Sequence, residues 1–165
     1  MKKLTLPAAV MALALAASPA ALAAQSQSAS QNQSNVIGGA YILLQKDDRQ
    51  RVLSLESGGT VTQVSDLENE TGFTSGLGAW TRTGADSARA SVVDFNHETD
   101  GNNGPGASKI VYDLTFSDPV DGIYQTVTGY YAGQAFQSGQ NPLSNEEPHV
   151  RSFGTRFEGK RIVAE

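Results

Sequence analysis

The 165-residue chain has no cysteine, two histidines and one tryptophan. The missing cysteine excludes disulfides, thiolate metal sites, thiol nucleophiles and thiol redox chemistry. A chain without disulfides must hold together by burial and strand pairing alone. Basic residues are also scarce, 12 Lys and Arg against 17 Asp and Glu, and they form no cluster. Such a surface repels phosphate backbones and anionic bilayers, which argues against nucleic acid as a partner. No apolar run reaches the roughly 18 residues of a spanning helix, so membrane insertion is not expected. No segment carries a convincing 3.6-residue period. Gly-rich turns precede no helix, which removes a nucleotide-phosphate loop, and no serine sits in a nucleophile elbow. No cofactor motif is present.

The chain opens with Lys2 and Lys3, the apolar run "LPAAVMALALAA" and the small-residue site Ala21-Leu22-Ala23. These are the parts of a secretory signal peptide spanning residues 1–23, which predicts a periplasmic or secreted protein. Loss of the two lysines makes the net charge of −5 more negative still. Residues 24–35, "AQSQSASQNQSN", lack charge, aromatics and any apolar period, and read as a flexible linker. Residues 36–165 form a single domain.

From Val36 onward, short β-type runs alternate with turn residues: 40–45, 51–57, 60–65, 77–83, 88–98, 109–117, 123–136 and 149–159. Gly58-Gly59 suits a tight hairpin, and short links elsewhere favour antiparallel neighbours. About eight strands in an up-and-down meander predict an all-β antiparallel barrel, with a sandwich as the alternative. Alternation places Ile110, Tyr112, Leu114 and Phe116 on one face, and Arg151, Phe153, Thr155 and Phe157 on another. In strand 88–98, Val93, Phe95 and His97 form the more aromatic set and are expected inward, opposite Ala90, Val92, Asp94 and Asn96. Gly129 and Gly133 suggest bends or bulges.

Gly78-Ala79-Trp80 in an eight-stranded, signal-bearing chain resembles the Gly-x-Trp of the calycin β-barrels, which include the lipocalins. Here it follows about three strands instead of opening the first. Arg161 in "EGKRI" resembles the basic residue that packs over that tryptophan. In strand rhythm, residues 36–162 are also similar to the barrels of allene oxide cyclases and dirigent proteins. The resemblance implies a barrel whose interior accepts a hydrophobic molecule.

The candidate chemistry is sparse. His97 is the histidine better placed for acid–base work, with an unperturbed pKa of about 6.5; His149 reads as a surface residue. Tyr112 and Arg151 are the other catalytic candidates, able to set charge against a substrate. Trp80, Phe95, His97, Tyr112, Tyr130 and Phe153 are the expected ligand-binding residues, as cavity walls with a few polar tips. Asp94, His97, Glu98 and Asp100 lie close in sequence, yet alternation separates their side chains, and no metal is expected. Glu56, Asp94, Glu98 and Asp113 cannot be paired for glycosidase chemistry by sequence alone. Three readings follow: a carrier of a small hydrophobic or aromatic molecule, a cofactor-free cyclase, isomerase or lyase, and a filled barrel with a structural or interaction role. A hollow interior separates the first two from the third.

Overall fold

A run such as "YDLTF" (112–116) alternates residues suited to an interior with residues suited to water, so the strand gains by burying one side only. Eight such strands in sequence can bury that side together by curling into a barrel. A computed structural model, describing residues 35–97, 105–144 and 148–164, has this architecture. The strands are β1 (Gly39–Gln45), β2 (Gln50–Leu55), β3 (Thr60–Ser65), β4 (Gly76–Arg82), β5 (Ser87–Asn96), β6 (Gly106–Val120), β7 (Ile123–Gln137) and β8 (Arg151–Arg161). Each pairs antiparallel with the next, and β1 pairs with β8 to close the barrel. The signal peptide and all of the linker except Asn35 lie outside the described residues. A four-residue helix, α1 (Glu68–Thr71), sits between β3 and β4, too short to leave a period in the sequence. It ends at Gly72, whose φ of 73° is the left-handed conformation that glycine adopts without strain.

The interior set is Tyr41 and Leu43 of β1, Leu53 and Leu55 of β2, Val61 of β3, Ala88, Ala90 and Val92 of β5, Ile110, Tyr112, Leu114 and Phe116 of β6, Val127 and Tyr131 of β7, and Phe157 of β8. The inward face expected for β6 is therefore the observed one. For β5 the expectation is reversed. Ala88, Ala90, Val92 and Asp94 point inward, and Phe95 lies on the outer face, 65% exposed. The reason is volume. β6 already brings Tyr112 opposite Ala90 and Ile110 opposite Val92, and small residues on β5 leave room for them.

Gly129 and Gly133 are not bulges. The β6–β7 ladder keeps register through both, pairing Leu114 with Gly129 and Ile110 with Gly133. Their role is clearance: a Cβ at Gly133 would collide with the ring of Phe153, and one at Gly129 with the ring of Phe157.

One end of the barrel is sealed. Residues before β1 cross it as a strap, with Val36 bonded to Gly122 and Tyr124 and with Ile37 buried beneath. Tyr41 donates its hydroxyl to the Ile37 carbonyl at 2.7 Å. Arg161 donates to the Gly38 carbonyl at 2.6 Å and to the Tyr41 hydroxyl at 2.9 Å, with its guanidinium 5.4 Å from the Tyr41 ring centroid. The aromatic partner of Arg161 is thus Tyr41, because β1 is its ladder neighbour and places Tyr41 directly opposite. Trp80, on β4 at this same end, is half-buried against the core, and its indole N–H donates to the Glu56 carbonyl at 2.8 Å.

At mid-barrel, the Tyr112 hydroxyl donates to Gln63 Oε1, two fully buried groups satisfying each other. Tyr112→Phe leaves that acceptor unpaired at almost unchanged volume. A loss of about 1–3 kcal/mol in denaturant-unfolding free energy is expected; an unchanged midpoint would mean that the bond contributes nothing.

Candidate functional site

The inward stripes change character along their length. They run Tyr41, Leu43, Gln45 on β1; Arg51, Leu53, Leu55 on β2; Val61, Gln63, Ser65 on β3; and Ala88, Ala90, Val92, Asp94 on β5, all buried. Because successive strands reverse direction, these polar residues gather at the end opposite the strap. Ser108 of β6 and Tyr131 of β7 join them there.

A cavity of about 460 Å³ opens at this end. Its walls include Arg51, Gln45, Asp94, Tyr131 and Phe153, with Phe73 and Leu67 from the α1 segment. This volume lies within the range of small-molecule pockets.

Arg51 is the central group. It is 5% exposed, and among the described residues it forms no salt bridge. Its guanidinium carbon lies 4.7 Å from the Tyr131 ring centroid and 5.9 Å from that of Phe73. These cation–π contacts offset part of its desolvation. Nη2 makes one long hydrogen bond, 3.5 Å, to the Tyr131 hydroxyl, which in turn donates to Gln45 Oε1 at 2.9 Å. Nε and Nη1 have no hydrogen-bond partner, and neither does Gln45 Nε2.

Asp94 faces the same space. It is 2% exposed, and burial pushes its pKa up from 3.8 to about 6, against the opposing pull of Ser108 hydrogen bonding and the charge of Arg51. Its Oδ1 is unpartnered. Burial likewise raises the pKa of the Tyr112 and Tyr131 phenols, so both are neutral donors at physiological pH. The cavity therefore holds a fixed cation, a carboxyl titrating near neutrality and free donors, between aromatic walls.

The residues singled out in the sequence are dispersed. Phe153 lines the cavity, and Arg151 stands at its exposed rim, 5.6 Å from the Phe153 ring centroid. Tyr112 lies in the core against Tyr131, with ring centroids 5.5 Å apart. Trp80 is at the opposite end of the barrel. Tyr130, 46% exposed, and Phe95 face outward, and His97 lies exposed just past β5. Inward placement of Phe95 and His97 is thus corrected together, since one register error moves both. Among the described residues, no three His, Asp or Glu side chains gather as a metal site would require; Glu98 and Asp100 lie outside them. No helix among the described residues is long and apolar enough to cross a membrane.

The signal that would have exposed Arg51 is its face. It shares period-two alternation with Leu53 and Leu55, so a charge sits on an apolar stripe. Asp94 shares one with Ala90 and Val92 in the same way.

The raised pKa of Asp94 gives a signed pH dependence. The folded state holds the proton more tightly than the unfolded chain, so this group's contribution is complete below about pH 4 and is lost as pH rises through about 6. The shift corresponds to about 3 kcal/mol at most. Asp94→Asn, always neutral, should be more stable than the native protein at pH 7.5, with the gap closing by pH 4. Thermal unfolding across this range checks it; a gap that widens toward low pH would contradict the assignment.

The closed eight-stranded antiparallel barrel is compatible with a calycin-like fold, and no family model, curated protein or solved structure matches this chain.

Proposed function

We propose that this protein is an exported barrel that binds a small molecule with an aromatic or apolar body in its open end. The supporting observation is a cavity in which Phe73, Tyr131 and Phe153 surround buried polar atoms that no protein group satisfies. A barrel with a purely structural role gains nothing from leaving such atoms unmatched, since each costs about 1–3 kcal/mol. A few placed polar groups among apolar walls are how a pocket orients a guest.

A second reading is favoured by Asp94. A buried carboxyl with a pKa of about 6 and a free oxygen in a cavity can accept a proton and return it. A cofactor-free cyclase, isomerase or lyase would use Asp94 as its base and Arg51 to hold developing negative charge. In this reading Asp94 takes the role that the sequence suggested for His97.

Trp80 is remote from the cavity, so its fluorescence is a poor reporter. Phe153→Trp places an indole on the wall. A panel of aromatic and aliphatic compounds should raise the native melting temperature and change the emission of that variant; no response to any compound would remove the binding reading. For a ligand so found, a carrier returns it unchanged. An enzyme converts it, and Asp94→Asn should then lower turnover about 10²–10⁴-fold while binding persists.

Export rests on the leader alone. Intact mass of protein recovered from the periplasm or medium should correspond to a chain beginning at Ala24. A retained Met1–Ala23 segment would exclude processing at this site.

A further inference from the structure

The unmatched atoms at the open end are unequal in kind. Among the described residues, the buried side-chain atoms without a partner are four nitrogens, on Gln45, Gln63 and Arg51 (Nε and Nη1), and one oxygen, Asp94 Oδ1. Gln45, Arg51 and Asp94 line the cavity. A guest that satisfies this space must therefore bring acceptors. Negative charge on that guest would also be favoured, because a guanidinium cannot discharge itself by losing a proton. The aromatic rings beside Arg51 offset only part of its burial, and Asp94 forms no salt bridge with it.

We propose that the open end selects a small monocarboxylate, its carboxylate oxygens taken by Arg51 and Gln45 and its aromatic or aliphatic body lying against Phe73, Tyr131 and Phe153. This rests on the reading of the barrel as a small-molecule binder. A single anionic charge fits better than a double one. There is one buried cation, Arg51; the exposed rim cation Arg151 is outnumbered by the carboxyl groups of Asp94, Asp47 and Glu70, the last already paired with Arg49 at 2.9 Å. Charge-assisted bonds from a buried guanidinium to a carboxylate are short and about twice as strong as neutral ones. The matching neutral amide would keep one acceptor, replace the other with N–H donors and lose the charge.

Calorimetric titration with matched pairs tests this on the native protein: 3-phenylpropanoate, cinnamate and octanoate, each against its primary amide, at pH 7.5. At least one carboxylate should bind about tenfold or more tightly than its amide. Arg51→Met should reduce that preference to near unity, with circular dichroism reporting whether the barrel is retained. Should Arg51→Met not fold, Gln45→Leu, which removes one free donor, should weaken the carboxylate more than the amide. Asp94→Asn, which removes the opposing charge, should strengthen carboxylate binding several-fold and shift the acid-over-amide preference further toward the acid. Equal binding of acid and amide would overturn carboxylate selection and leave the barrel as a binder of neutral molecules. Amides bound without their acids would do the same. Failure of all six compounds overturns carboxylate selection, and only failure of the wider ligand panel as well removes the binding reading.

Discussion

Every inside and outside in this molecule follows from the ladder between β1 and β8. Tyr41 pairs with Arg161 and Gln45 with Phe157, joining the two ends of the described domain. Without that seam, the sheet would be an open ribbon with two unpaired edges, and alternation would distinguish only two solvent-facing sides. With it, one side of each strand becomes interior. The seam is also the pairing most distant in sequence, so its loop-closure entropy is offset only once the intervening strands are in register. Arg161 shows how the seam is secured. On the last strand, it bonds to the Gly38 carbonyl and the Tyr41 hydroxyl, binding the strap, β1 and β8 together.

Closure also creates a polarity along the barrel axis. The strap end is filled by Ile37, Tyr41, Phe116 and Tyr124, with rings of the last three in contact at 5.5 and 5.9 Å. The other end holds Arg51, Asp94, Gln45 and Tyr131. Burying an unpaired cation costs several kcal/mol even after relaxation. An apolar residue at position 51 would continue the stripe of Leu53 and Leu55 at no such cost. Retaining arginine there is a stability sacrifice at one end only, the end with a cavity. Stability and cavity chemistry are thus divided between the two ends of one core.

Much of this was legible in the chain. The strand runs, their order and the barrel they imply are written in period-two alternation and turn residues, and the Ile110-to-Phe116 stripe was read on its correct face. On β5, aromatic content points to the wrong face. In a small barrel, volume decides instead: Tyr112 requires Ala90 across from it, and Phe95 is expelled to the surface. The same placement carries His97 outward and Asp94 inward. The rest of the site was obscured for another reason. Gln45, Arg51 and Ser65 each look like a polar strand end. They become one rim only when antiparallel reversal is applied to all the strands at once.

Arg51 and Asp94 then have to be understood as a pair held apart. In direct contact they would neutralise each other and leave a satisfied, inert core. Here the guanidinium lies against the Tyr131 ring and bonds its hydroxyl, while burial, opposed by hydrogen bonding from Ser108, governs the carboxyl. Each is close enough to influence the other electrostatically, and each retains an unpartnered atom. An anion settling on Arg51 would weaken the attraction that favours ionised Asp94 and raise its proton affinity further. Occupancy of the cation and protonation of the acid would thereby be coupled through the low-dielectric interior. The same coupling would serve a carrier as proton-linked binding, and an enzyme as the means of drawing a proton from its bound substrate.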